Sequence, residues 1–177
     1  MTKLKDIDLK ILSGLMKNSK ISDRKLAEII GVSQPTVTRR RAKLEKEGML
    51  KYTAIPNFAK LGFEILAISF YSWTPEATSK LSESPEGIKN KLSAFLSNHK
   101  NIIFTSRGRG FGMERVMISV HESYFDYTEL MNAVNMEWGG YLDQTNSFII
   151  STQIDIVGRH LGFKYLAEYI VEKLKMT

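Results

Sequence analysis

The sequence predicts an α+β protein, with an N-terminal winged helix-turn-helix followed by a ferredoxin-like βαββαβ domain and an extra C-terminal helix. Three observations lead to this fold class. Two short amphipathic helical patterns flank a glycine in the basic segment 21–47. A run of β-forming residues follows at 49–55 and is expected to form a short strand or wing hairpin. From residue 64 onward, strand and helix patterns follow one another in the order β-α-β-β-α-β.

The basic segment carries signals for two helices joined by a tight turn. Ser22 is a good N-cap for the first helix, whose apolar residues recur at helical spacing. Gly31 follows the last apolar pair, where a left-handed residue often ends a helix. Ser33 is placed to cap the next helix, and Pro35 falls in its first turn, where a missing N–H costs nothing. With a further helix predicted over residues 6–17, these signals indicate a three-helix unit.

The third helix of this unit has two different faces. Val37 and Leu44 lie two turns apart on one side, which is expected to pack in a core. At about 100° per residue, the opposite side combines small residues with cations. Its members are Pro35, Thr38, Arg39, Ala42 and Lys46. Because a helix-turn-helix usually places its second helix in the DNA major groove, this pattern predicts DNA binding.

Side chains of two kinds are expected to contact DNA from this helix. Arginine can pair bidentately with guanine, and the N-terminus of a helix favours phosphate. The candidates for base contacts are Gln34, Pro35, Thr38 and Arg39. The candidates for phosphate contacts are Ser33, Thr36, Arg40 and Lys43. Further candidates without an assigned target are Arg41 and Lys46 on the helix and Lys51 and Tyr52 on the wing.

Charge is distributed unevenly along the 177 residues. Residues 1–62 hold 14 lysines and arginines and 6 acidic residues, whereas residues 63–177 hold 11 and 13. A basic first third joined to a nearly neutral remainder indicates that only the first part meets a polyanion such as double-stranded DNA. The chain has no cysteine, which excludes disulfides, thiolate catalysis and cysteine-based zinc sites. No apolar run approaches ~18 residues and the first ten residues contain no signal region, so a cytoplasmic protein without a membrane partner is expected.

The remaining elements are predicted after a hinge. The predicted domains are residues 1–55 for the DNA-binding part, 56–63 for the hinge and 64–177 for the second domain. Predicted strands cover 65–73, 102–106, 115–120 and 148–157. Predicted helices cover 85–98, 123–138 and 161–174. The polar stretch 74–84 is expected to be a loop with at most a single helical turn.

Segment 107–113, RGRGFGM, contains two arginines and three glycines between two predicted strands. It is expected to form a hairpin in which glycine takes a positive φ. Arg107 and Arg109 are also candidates for an effector or anion site. The three histidines lack the spacing of metal ligands, so no metal, cofactor or catalytic residue is predicted. They are His99, His121 and His160.

Over its whole length the chain resembles the Lrp/AsnC family, the leucine-responsive type of bacterial and archaeal transcription regulators. The resemblance rests on IDLKILSGL, LAEIIGVSQPTVTRRRAKLEKEGML and YTAIPNFAKLGF, which follow the family pattern across residues 6–63. It implies a winged helix joined to a βαββαβ ligand-sensing domain, often called the RAM domain. It also implies a homodimer or larger homo-oligomer, formed through residues 64–177, that binds pseudo-palindromic DNA and regulates transcription.

The sequence departs from the family pattern at two places. Arg41 stands on the inner side of the third helix, where an aliphatic residue is usual. Its stem is expected to pack while its head reaches solvent or a phosphate. The stretch RGRGFGMERV lacks the aspartates of the family's effector loop. Amino-acid binding is therefore not carried over to this chain.

Two alternatives to a sequence-specific regulator stay open. The sirohaem decarboxylases of haem biosynthesis resemble this fold, and His99, Arg107 and Arg109 lie where a carboxylate-rich ligand could be met. A DNA-packing protein with little sequence preference would also need a basic first domain. The C-terminal helix could pack on its own sheet or on a second subunit, and a shared role is favoured because reading a palindrome needs a dimer.

Overall fold

The computed structural model describes residues 4–153 and 161–175. The chain divides into two compact units, which are Met1–Ile55 together with Gly158–Thr177, and Pro56–Val157. The sequence-based division assigned the last segment to the second domain, whereas the structure groups it with the first unit. No helix in the two described ranges is long and apolar enough to cross a membrane.

Three helices form the basic part of the first unit. They are α1 (Asp6–Lys17), α2 (Asp23–Ile30) and α3 (Gln34–Lys46). Their apolar faces meet in one cluster of residues that are at most 4% exposed. The members of this cluster are Ile11, Leu15, Leu26, Ala27, Val37 and Leu44. The apolar spacing in the sequence therefore identified the core of this unit correctly.

The turn between α2 and α3 is built from the predicted residues. The Ser22 side chain accepts a hydrogen bond from the backbone N–H of Lys25 at 3.2 Å. Gly31 ends α2 with a φ of 79°, in the left-handed region that glycine enters without a steric cost. Ser33 occupies the cap position of α3 but makes no side-chain cap bond, because its Oγ lies 2.8 Å from the Oγ1 of Thr36.

The predicted wing strand at 49–55 is wrong. Residues 50–57 form no strand in the structure. The β-forming residues are present, but a strand needs a partner for its backbone groups, and none of the residues described pairs with this segment. Tyr52 is placed instead by a side-chain contact with α3.

The second unit is a four-stranded antiparallel sheet with helices on one face. Its strands are β1 (Ile65–Trp73), β2 (Ile102–Gly110), β3 (Met113–His121) and β4 (Leu142–Ser151). Its helices are α4 (Pro75–Glu83), α5 (Pro85–Asn98) and α6 (Tyr124–Trp138). The strand order is β2-β3-β1-β4, and every pairing is antiparallel. This confirms the predicted βαββαβ fold, with α4 as an additional helix.

Three predicted elements differ from the structure in this unit. Residues 74–84 are not a loop, because Thr74 accepts from the backbone N–H of Ala77 and caps α4. The hairpin turn is confined to Phe111 and Gly112, which have φ values of 54° and 73°, so both flanking strands are longer than predicted. Strand β4 begins at Leu142 rather than 148, and residues 154–157 of the predicted strand lie outside the described ranges.

The sheet has one covered face and one open face. On the covered face, α5 and α6 pack over a core that includes Tyr71, Met117 and Trp138. The opposite face is also apolar: Ile68 of β1 pairs with Ile118 of β3 and with Phe148 of β4. Phe148 is 65% exposed, and Phe104, the next neighbour on β2, is 50% exposed. The second unit therefore presents an apolar sheet face to solvent.

The C-terminal helix α7 (Leu166–Lys175) lies against α1. Ala167 is fully buried, and Lys17 of α1 forms an ion pair with Glu168 at 2.7 Å. The helix begins at 166, later than the predicted 161. The sequence left open whether this helix packs on its own sheet or on a second subunit, and the structure places it on the helical unit instead.

His121 is a buried group whose protonation is opposed by the fold. It is 2% exposed, and its Nε2 lies 2.8 Å from the Oγ of Ser119. Burial lowers its pKa below the ordinary 6.5, and this outweighs the opposite effects of the Asp126 charge and of a backbone hydrogen bond with Asp126. The folded chain therefore holds a neutral imidazole at neutral pH.

We expect the second unit to lose stability in mild acid because of His121. The unfolded chain takes up a proton near pH 6.5, whereas the folded chain does so only at its lower pKa. As the pH is lowered from the first of these pKa values to the second, the free energy of unfolding should fall, with a slope of at most about 1.4 kcal/mol per pH unit. Denaturant unfolding at several pH values measures this slope. His121→Gln should flatten it, because the group whose pKa differs between the two states is then absent.

Candidate nucleic-acid interface

The face of α3 that the sequence predicted for DNA is exposed in the structure. Val37 and Leu44, on the opposite side, are 0% and 2% exposed. Each residue of the predicted reading face is exposed, and these residues are Pro35, Thr38, Arg39, Ala42 and Lys46. Small side chains at Pro35 and Ala42 leave room for the helix backbone to approach a groove floor. The helix therefore combines a packed inner side with an open, cationic outer side.

Arg39 and Gln34 are the members of this face that are best placed to read bases. Both side chains are exposed, and neither makes a side-chain hydrogen bond or ion pair within residues 4–153 and 161–175. Thr38 is different, since its hydroxyl donates to the Oδ2 of Asp23 at 2.8 Å. The guanidinium of Arg39 can therefore pair with an external acceptor without breaking an internal bond.

The predicted phosphate contacts fall into two groups. Ser33, Thr36 and Lys43 lie at the surface of α3 or its cap, and Lys43 forms an exposed ion pair with Glu47 at 3.6 Å. Arg40 is closer to the core, since its side chain is only 17% exposed. Its Nη1 is 3.5 Å from the Oδ2 of Asp8, whose side chain is 7% exposed. The structure thus gives Arg40 an internal partner that the sequence did not predict.

Arg41 joins α3 to α2 and to the wing segment. Its Nη1 donates to the Oδ1 of Asp23 at 2.9 Å, and its Nε donates to the Tyr52 hydroxyl at 2.6 Å. The guanidinium also lies 5.0 Å from the centre of the Tyr52 ring. The stem packs as expected, but the head is held by these partners instead of reaching solvent or a phosphate.

Asp8 and Asp23 are internal partners of the α3 side chains that sequence reasoning missed. Burial raises the pKa of Asp23, but hydrogen bonds from Thr38 and Arg41 and the charge of Arg41 lower it by more, so the carboxylate stays ionised. Asp8 accepts from the backbone N–H of Lys5 and meets Arg40. The available signal was an acidic residue in the first turn of each helix that precedes the arginine run.

The candidate anion residues of the second unit lie on β2. Arg107 is paired with Arg115 across the β2–β3 ladder, while Arg109 follows closer to the hairpin turn. His99 is held away from this pair, because its Nδ1 lies 2.9 Å from the carbonyl oxygen of Phe95 and its ring stacks on that side chain. The structure therefore brings Arg107 to another arginine and does not group the three candidates of the enzyme alternative.

Comparisons with known proteins identify the family. The family profile described as winged helix-turn-helix DNA-binding matches residues 4–51. The HTH-type transcriptional regulator FL11 of Pyrococcus furiosus is 36% identical over 142 residues, covering 67% of this chain and 92% of that protein. LrpC of Bacillus subtilis is 30% identical over 154 residues, covering 86% and 95%. The chain spans about half the length of some other curated relatives, such as PH0061 of Pyrococcus horikoshii, which is 33% identical over 82 residues and covered to 55%.

Solved structures agree with these sequence matches. The structure of Bacillus subtilis LrpC has a TM-score of 0.66 and 26% identity to this chain, covering 87% of this chain and 99% of that one. The relatives named here are transcriptional regulators, so nothing supports the enzyme alternative. The chain therefore belongs to the Lrp/AsnC family of HTH-type transcriptional regulators.

Proposed function

We propose that this protein regulates transcription by binding a pseudo-palindromic DNA site as a symmetric homodimer or larger oligomer. The observation that carries the proposal is the exposed reading face of α3, with Arg39 at its centre and no partner for Arg39 among the described residues. In a helix-turn-helix such a face enters the major groove, where each base pair offers a distinct pattern of donors and acceptors.

The contacts divide into base reading and attachment to the backbone. Gln34 and Arg39 read base edges, with Pro35 and Thr38 in close approach to the groove floor. Ser33, Thr36, Arg40 and Lys43 contact phosphates. Arg40 keeps its ion pair with Asp8 of α1, and this pair holds the Arg40 guanidinium near the DNA backbone. The excess of lysine and arginine over residues 1–62 supports a large electrostatic share of the affinity.

The open sheet face of the second unit supports dimer formation. A symmetric site requires two α3 helices related by a two-fold axis. Phe104 and Phe148 are half or more exposed, and the row that they flank contains the aliphatic Ile68 and Ile118. An exposed apolar patch of this kind usually marks a protein interface. Two copies would bury these patches against each other by packing sheet on sheet.

Salt dependence tests the DNA-binding proposal without knowledge of the operator. We expect the affinity for a random-sequence duplex, measured by fluorescence anisotropy, to fall linearly with salt on a double logarithmic plot. Lys43→Gln should reduce the slope by about 0.9, since one fewer phosphate is neutralised. Lys89→Gln, which removes an exposed charge from α5, should leave the slope unchanged. A flat salt response of the unmodified protein would contradict the proposal.

A further inference from the structure

The second unit contains a cavity between the sheet and its helices. The cavity has a volume of about 80 Å³. Most of its wall is apolar and comes from α5, α6 and the covered face of the sheet. The apolar wall includes Ile88, Leu92, Met117, Val134 and Leu142. All the residues that line the cavity belong to the second unit.

Two buried hydrogen-bond donors belong to residues that line this cavity. The indole Nε1 of Trp73 and the Nε of Arg115 are both buried, and neither has a partner atom in the described part of the chain. The two side chains are neighbours, since the guanidinium carbon of Arg115 lies 4.9 Å from the centre of the Trp73 ring. Buried donors are nearly always satisfied, so this pair indicates an acceptor that the protein itself does not supply.

The charge around these donors is positive. Arg107 is the cross-strand partner of Arg115 on the β2–β3 ladder. Burial lowers the pKa of Arg115, and the charge of Arg107 lowers it further, against a smaller effect of Glu114. An arginine nevertheless keeps its proton in proteins. No aspartate or glutamate is among the residues that line the cavity. Two like charges face each other here with no carboxylate between them.

We propose that this cavity binds a small monocarboxylate with an apolar body. One carboxylate oxygen accepts from the Arg115 guanidinium and the other from the Trp73 indole, while the hydrocarbon part fills the space between α5 and α6. A single water needs about 10–15 Å³ of such volume, so the cavity suits a ligand of about five to eight non-hydrogen atoms.

The same geometry predicts what the cavity rejects. A ligand with an ammonium group would bury a second positive charge beside Arg115, with no acidic side chain in the lining to pair with it. The neutral amide of the same acid would keep the apolar contacts and lose the charge-assisted hydrogen bonds. The free acid is therefore preferred over both the corresponding amino acid and the amide.

Titration of the full-length protein tests this proposal. The two tryptophans of the chain, Trp73 and Trp138, both line the cavity, so quenching of intrinsic fluorescence reports on occupancy, and calorimetry gives the affinity. The probes are 4-methylpentanoate, 4-methylpentanamide and leucine. We expect the acid to bind at least tenfold more tightly than either of the others. Equal affinities for the three probes would show that the cavity is purely apolar and would overturn the proposal. The proposal would also be overturned if none of the probes bound at millimolar concentration.

Two variants locate the binding site. Arg115→Gln should weaken binding of 4-methylpentanoate at least tenfold, and Trp73→Phe, which keeps the ring but loses the N–H, should weaken it several-fold. Lys89→Gln removes an exposed charge from α5 and should have no effect. Circular dichroism checks the fold of each variant. If Arg115→Gln does not fold, the comparison of acid with amide and the Trp73→Phe variant decide. An unchanged affinity in Trp73→Phe would contradict the assigned carboxylate contact. The titrations contain no DNA, so their failure leaves the proposed DNA binding untouched.

Discussion

Phe148→Asp is expected to convert the protein to a monomer and to lower its affinity for a symmetric operator at least a hundredfold. Phe148 is 65% exposed on β4 and lies beside Ile68 on the open sheet face, with Ile118 on the other side of Ile68. If two such faces pack together, the substitution buries two unpaired carboxylates in an apolar interface, which costs several kcal/mol for each charge. Losing the dimer also removes the second half-site contact from the same complex.

Sedimentation equilibrium measures the first effect, and anisotropy on operator DNA measures the second. Met136→Asp is the matched control, because Met136 is 88% exposed on α6, on the helical side of the sheet. It introduces the same charge in place of another exposed apolar side chain and should leave both measurements unchanged. A Phe148→Asp protein that remains a dimer would show that the open sheet face is not the interface.

Arg39→Ala should weaken binding to the operator by about fivefold to a hundredfold while changing non-specific binding little. The reason is that a bidentate arginine–guanine pair contributes about 1–3 kcal/mol of discrimination between bases. Arg39 has no internal partner to lose in the described structure, so the variant should fold normally. The measurement is the ratio of the affinity for operator DNA to that for a scrambled duplex of the same length.

Arg24→Ala provides the comparison for this ratio. Its side chain is 82% exposed on α2, and it pairs with Glu28 of the same helix at 3.6 Å. Removing that charge should change both affinities by the same factor, through the electrostatic term alone. If Arg39→Ala also lowered both affinities equally, Arg39 would be a phosphate contact and the assignment of the reading face would be wrong.

Local signals predicted the helices and the central strand well. The bounds of α1, β1 and α5 match the predicted ranges, because their apolar periodicity and their caps are encoded in neighbouring residues. Helix α4 replaces a predicted loop, although Thr74 and Pro75 form the same kind of start signal, because its polar composition favours a loop. Strand β4 was displaced because residues 142–147 are largely polar, and their strand conformation depends on pairing with β1.

The candidate site could likewise be predicted only where local sequence determines it. Helical periodicity identified the exposed face of α3, because that face depends only on the helix itself. The internal partners of its cations are set by residues far away in the sequence: Arg40 meets Asp8 across 32 positions and Arg41 meets Asp23 across 18. The cavity beside Arg115 likewise depends on tertiary packing. The spacing of residue types along the sequence carries no information about such contacts.

Selection of binding sites from a random DNA library, read by sequencing, tests the central claim most directly. If α3 reads the major groove from a two-fold symmetric oligomer, the selected sequences should share a pseudo-palindromic consensus, with half-site centres about 10–10.5 base pairs apart or at a multiple of that distance. Selection that returns no consensus at any salt concentration would contradict the account, and the protein would then be a DNA-packing protein without sequence preference.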